Sequence, residues 1–324
     1  MRIIPLILTA ALAGPVLAQD GQPTPPFWEQ EWPDTNFQRA SVPFVEILSG
    51  GPPKDGIPAI DAPQFLNIAD ETELPEDEPV ITLDIEGERA RAYPIRYLTW
   101  HEIVNDRIGG KPVSVTFCPL CNSAVVFDGM LDGREMTFGV SGKLRNSDMV
   151  MYDRQTESWW QQFLGEAIVG ELTGAQLTVI PSWMESWASF KEQYPDGIVM
   201  ARPGAFGRSY GVNPYAGYDS LPRPFLYSGE PPPHGIEPLS RVVSVGARAW
   251  PLERIAQGPV TEAGVTITWR AGMASALDQR SISGSRDIGM IRVRDAEGQD
   301  VAHDVGFAFA FHAFHPDGVW MLGE

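Results

Sequence analysis

Cysteine is nearly absent from this chain: only Cys118 and Cys121 occur, three apart, in "VSVTFCPLCNSAVVFD" (113–128). That scarcity excludes a disulfide-built scaffold, and the lack of a second CxxC excludes a closed four-cysteine zinc site. There are five histidines, and lysine occurs only at 54, 111, 143 and 191. With 24 Lys+Arg against 42 Asp+Glu, the formal net charge is −18. Such a surface repels phosphate backbones and anionic lipid, so no nucleic-acid partner is expected. Beyond the N-terminus, no apolar run reaches the roughly 20 residues needed to span a bilayer.

The N-terminus carries Met1-Arg2, an apolar stretch from Ile3 to about Val16, and the small-residue end Val16-Leu17-Ala18 before Gln19-Asp20. This pattern reads as a secretory signal peptide over residues 1–18, shorter than a membrane anchor. No cysteine follows the cleavage site, so a lipoprotein anchor is not expected. The mature protein is expected in the periplasm or outside the cell, without membrane insertion.

Hydrophobic residues make up 43% of the chain, enough for a sizeable core. The 32 glycines and 29 prolines point to many short strands joined by turns. Residues 19–78 read as a Pro/Gly-rich arm that packs Phe27, Trp28, Trp32 and Phe44 onto a body. From Pro79 onward, "PVITLDIEG", "RARAYPI", "PVSVTF", "SAVVFDG", "REMTFGVSG", "DMVMYDR" and "WWQQFLG" carry β-branched or aromatic residues between turn signals. Helices are expected over 97–108 and 181–194.

Three segments recur in the same order. "ARAYPI" (90–95) returns as "ARAWPL" (247–252), "VSVTFCPLCNSA" (113–124) as "VTITWRAGMASA" (265–276), and "ASFKEQYPDGIVM" (188–200) as "FAFHAFHPDGVWM" (309–321). The expectation is an α+β fold, mostly antiparallel, of two related β-rich units from an internal duplication. The first unit covers 79–203, a Tyr/Pro/Gly-rich connector 204–239, and a shortened second unit 240–324. The second copy keeps the apolar scaffold but places Arg270 opposite Cys118 and Met273 opposite Cys121. The cysteines are thereby marked as a site grafted onto the fold rather than part of its framework.

Several chemistries fit "CPLCN". A thioredoxin-type helix N-terminus is missing, since strands flank the pair. A structural disulfide across so short a loop contributes only about 2 kcal/mol through chain entropy. A redox-active pair remains, as does a metal site of Cys118, Cys121 and His101 holding copper or zinc. So does a nucleophilic Cys118 with His101 as base. Asn146 and Asp148, in the "LRNSD" turn, are expected at the same end of the sheet, completing the candidate catalytic set with Cys118, Cys121 and His101. His312 and His315 have ligand-like spacing on a helix, with a helix-end role expected.

The segments "DGIPAID" (55–61), "EPVITLDIEGERARAYPIRYLTWHEIVND" (78–106), "VTFCPLCNSAVVFD" (115–128), "FGVSGKLRNSDMVMYDRQTESWW" (138–160) and "GEAIVGELTGAQL" (165–177) resemble the prokaryotic domain of unknown function 3179 family. The resemblance implies an exported or membrane-attached protein, and a position at Cys118 steadier than that at Cys121. The functional expectation is an exported protein with a thiol-based redox or metal site and an unidentified protein or small-molecule partner. The alternative is a non-catalytic periplasmic binding or assembly module that uses the aromatic connector as its contact surface.

Overall fold

The computed structural model describes residues 22–204 and 206–323. The expected signal peptide lies outside the described residues. Among those residues, no helix is long and apolar enough to cross a membrane.

The architecture is mostly β with few helices. Five larger sheets, mostly antiparallel, stand in a β-propeller-like arrangement, beside one small hairpin. Among the described residues, parallel pairing is confined to three strand pairs: Ile198–Met200 on Arg91–Pro94, Val319–Trp320 on Arg248–Pro251, and Ile60–Asp61 on Ile103–Ile108.

Two sheets share one topology. In the first, the order is Trp183–Ser186, Pro79–Leu83, Arg91–Pro94, Ile198–Met200, with Phe65–Asn67 added at the edge. In the second it is Asp304–Phe307, Arg241–Val245, Arg248–Pro251, Val319–Trp320. Leaving aside the edge strand Phe65–Asn67, each places a short helix directly after its second strand in chain order, Ile95–His101 or Leu252–Ile255, and each of these helices follows a proline at its N-cap. Each also places a seven-residue helix between its last two strands, Trp187–Gln193 or Ala308–Phe314.

The cysteines lie in a third sheet, ordered Val179–Ile180, Ser123–Asp128, Lys111–Cys118, Ile103–Ile108, Ile60–Asp61. A fourth sheet, Ile47–Ser49, Phe138–Arg145, Asp148–Asp153, Trp159–Gln161 and Glu166–Val169, supplies the "LRNSD" turn. A three-stranded sheet of Val260–Glu262, Val265–Arg270 and Met290–Arg294 completes the set.

Both expected helices are shorter than the sequence suggested. The first covers only Ile95–His101, after which Glu102 adopts φ +59 and the chain continues as the strand Ile103–Ile108. Pairing of that strand with Lys111–Cys118 overrides a run in which helical and strand periods cannot be told apart. In the second, Trp183–Ser186 pairs with Pro79–Leu83, and the helix begins only at Trp187. Ser186 caps it, its hydroxyl accepting from the Ser189 N–H at 3.2 Å.

The N-terminal arm docks through aromatic rings. Trp28, Trp32, Phe37 and Phe44 are buried around Trp159 and Tyr152, with ring centroids mostly 5 to 6 Å apart and edge-on. Phe27, expected in this cluster, is exposed. Gly142 lets the next stretch of the arm pass close to the fourth sheet: its φ is +73, and a Cβ there would lie 2.0 Å from the Pro52 carbonyl oxygen. Trp159→Ala is expected to destabilise the protein by about 3–5 kcal/mol and to release the arm, read as a lower urea midpoint and faster trypsin cleavage before residue 50. An unchanged midpoint would show that the arm is not part of the folded core.

Candidate functional site: a buried dithiol and carboxyl

Cys118 ends one strand and pairs with Ser123, which begins the next, so Pro119 to Asn122 form the connecting turn. The Cys121 N–H donates to the Cys118 carbonyl at 3.2 Å, and Asn122 takes φ +53, a conformation asparagine tolerates better than most residues. Three other parts of the chain hold this turn. The Phe307 N–H donates to the Cys121 carbonyl at 2.8 Å and Asn122 Nδ2 to the Val305 carbonyl at 2.6 Å, while Asp304 Oδ1 accepts from the Ala124 N–H at 2.9 Å. From the connector, the Tyr218 hydroxyl donates to the Leu120 carbonyl at 3.0 Å.

The third contact comes from the "LRNSD" hairpin. Asn146 and Ser147 both have positive φ, 51° and 61°, between the paired residues Arg145 and Asp148, the geometry of a tight two-residue turn. This turn aims the Ser147 carbonyl at both thiols, which donate to it from Cys121 at 3.4 Å and Cys118 at 4.0 Å. It also brings Asp148 among them: Cys118, Cys121 and Asp148 offer donor atoms all within 4.8 Å of one another. All three residues are buried, and the cysteines carry no disulfide.

The electrostatics are those of acids without water. Asp148 Oδ2 accepts from Gln161 Nε2 at 2.6 Å and from the Phe163 N–H at 3.0 Å, while Oδ1 has no partner among the described residues. Burial raises its pKa to about 6, partly offset by those donors and by the two thiols. Burial also raises both thiols, Cys121 more than Cys118, and the neighbouring acids push in the same direction.

Sequence reasoning missed Glu102. Its carboxyl is buried, receives no hydrogen bond among the described residues, and is raised to about 8 by desolvation first and by the charge of Asp148 second. Its backbone, at φ +59 and ψ −34, is strained for a residue with a side chain. Nothing in the sequence marked it, because a single helix was expected to run through it over 97–108. Burial raises the phenol of Tyr215, from the connector, and the nearby Glu102 and Cys118 push it further the same way.

The family model for "Protein of unknown function (DUF3179)" matches residues 54–318. The chain belongs to the DUF3179 family. No curated protein and no solved structure matches it. The donor group of this DUF3179 chain does not include the expected ligand His101. That ring is buried elsewhere, with Nδ1 2.7 Å from the Pro58 carbonyl and Nε2 2.6 Å from the Tyr210 hydroxyl. Asn146 is half-buried at the turn, and it is the Ser147 carbonyl beside it that meets the thiols. His312 sits in the last turn of its helix and His315 caps it, packed on Phe163 and Phe311.

Glu102 allows a pH test. An acid whose folded pKa is raised stabilises the fold fully below its ordinary value of 4.5 and loses that contribution as pH rises through about 8. Asp148 and Asp304 are raised in the same way, to about 6, and Glu78 is raised as well, so the share of Glu102 is read from the variant across the window from about 6 to about 8. Urea unfolding of the wild type is expected to weaken across that window, and Glu102→Gln to flatten the decline. An identical slope in the variant would place the titration elsewhere.

Proposed function

We propose that this is an exported metal-binding protein in which Cys118, Cys121 and Asp148 hold one divalent cation. Zinc fits the donor set best: two thiolates with one carboxylate suit a borderline ion. Copper, which the thiolates alone would favour, is less suited to the hard carboxylate oxygen. The observation that carries the reading is the unpartnered Asp148 Oδ1, fully buried beside two thiols. Such an atom normally has a hydrogen-bond partner or an unrecorded ion. Three protein ligands leave a fourth position for water, the arrangement of catalytic rather than structural zinc sites.

The matching topology of the two four-stranded arrays and the ordered sequence matches support an internal duplication. In this reading the second copy is the scaffold without the site. At the positions matching the cysteines, Arg270 pairs with Glu192 and donates to Ser189, and Met273 is buried.

A second reading, a dithiol–disulfide couple, is favoured by one observation: Asp148 lies where it can accept a thiol proton. In that exchange a partner disulfide takes the electron pair, Cys118 and Cys121 form an S–S bond, and the partner leaves as two thiols.

Native mass spectrometry and elemental analysis separate the readings. Metal binding predicts one equivalent of zinc, thiols protected from alkylation until chelation, and a thiolate-to-cobalt charge-transfer band on cobalt substitution. Gln161→Ala, which removes the residue orienting Asp148, is expected to weaken binding by about 10- to 100-fold. Because the thiol protons must leave on binding, the logarithm of affinity should rise by about two per pH unit above pH 6 and by about three below it, where Asp148 is also protonated. A metal-free protein two hydrogens lighter, returning to full mass under mild reductant, would replace the metal reading with the redox one.

A further inference from the structure

A cavity of about 580 Å³ lies against the site, within the size range of pockets for drug-sized ligands. Its walls come from the arm (Pro52, Ile57), the cysteine turn (Leu120) and the fourth sheet (Val140, Leu144, Met149). The connector closes it with Tyr215, Ala216 and Tyr218. The lining is mainly apolar, with few polar groups. Glu102 and Lys143 are buried, Lys143 is already paired with Glu31, and Arg223 is exposed with no ion-pair partner among the described residues. Around Arg223 the rim carries Leu221 and Phe225, apolar side chains about half exposed to solvent.

The charge distribution decides what this cavity suits. A net charge of −18 disfavours anions at long range, but salt screens that field beyond about 8–10 Å. At contact distance the unpaired Arg223 dominates. An arginine left without a carboxylate on so acidic a protein, at the mouth of an apolar cavity, matches one ligand chemistry. We propose that the cavity binds a free amphipathic acid, its apolar chain or ring system among Ile57, Val140, Leu144 and Met149, and its carboxylate on the Arg223 guanidinium. The connector is thereby a wall of a binding site rather than a spacer. Tyr218 fixes that wall, because its hydroxyl also accepts from the Phe225 N–H at 3.2 Å.

The binding proposed here does not depend on a metal, since neither cysteine lines the cavity. The probe is cis-parinaric acid, whose fluorescence rises in apolar surroundings, with its methyl ester as the uncharged control. Saturable binding of the acid at one equivalent is expected. Ala216→Trp, which fills the cavity from an exposed position, should weaken both probes by at least about tenfold, and Leu144→Trp serves as a second plug if that variant misfolds. Arg223→Glu should weaken the acid by about tenfold or more and leave the ester within about twofold. The double variant Cys118→Ser, Cys121→Ser should bind the acid like wild type, so that loss of metal and loss of ligand are read separately. The proposal is overturned if the wild type shows no saturable binding, if folded plug variants bind normally, or if Arg223→Glu affects acid and ester equally. It is also overturned if the double cysteine variant loses the acid, or if the protein floats with phosphatidylglycerol vesicles but ignores the free acid.

Discussion

The carboxyl of Asp148 has no access to water, and one of its oxygens has no partner. A buried unsatisfied acceptor costs on the order of 1–3 kcal/mol, and more when charged. The fold places this group with care, since Gln161 and the Phe163 N–H fix one oxygen and leave the other beside the thiols. Its position requires the two left-handed residues of the "LRNSD" turn, because only a tight turn swings Asp148 and the Ser147 carbonyl over the cysteine hairpin together. The strain at Asn146 and Ser147 is thus a condition of the site rather than a surface accident.

The cysteine turn depends for its place on a strand from another sheet. The cysteine hairpin would have free backbone groups at its tip, and the strand Asp304–Phe307 satisfies them through Cys121, Asn122 and Ala124. That strand belongs to the sheet whose topology repeats the one built around Pro79–Leu83. A strand from a sheet without cysteines therefore clamps the turn that carries them. Without that strand the Cys121 carbonyl and the Ala124 N–H would lose their partners.

Much of this was legible in the sequence. The β-branched runs marked the strands, "LRNSD" read as a turn joining two of them, and the absence of a helix after "CPLCN" excluded a thioredoxin geometry. Asp148 was expected near the cysteines because that turn was placed at the end of the sheet where the cysteine loop would also lie. His101 was not placed correctly, since which way the last residue of a seven-residue helix faces depends on the residue after it. The left-handed Glu102 turns the chain, leaving the imidazole between Pro58 and Tyr210 and the Glu102 carboxyl toward the cavity. The connector was equally opaque. Its tyrosines have no periodicity, and only tertiary contacts show Tyr215 and Tyr218 closing over the site.

The raised acidities also bear on what the pair can do alone. A thiol is a nucleophile only as thiolate, and here burial, Asp148 and Glu102 all hold the protons on Cys118 and Cys121. A simple reactive cysteine would be placed in an electropositive setting, the reverse of this one. A cation offsets each of these unfavourable terms: a divalent ion attracts every charge that now repels the others, and coordination removes thiol protons outright. Three groups that are costly as separate anions become mutually stabilising around one ion. For this reason the arrangement is better explained as a receptor for positive charge than as a nucleophile awaiting a base.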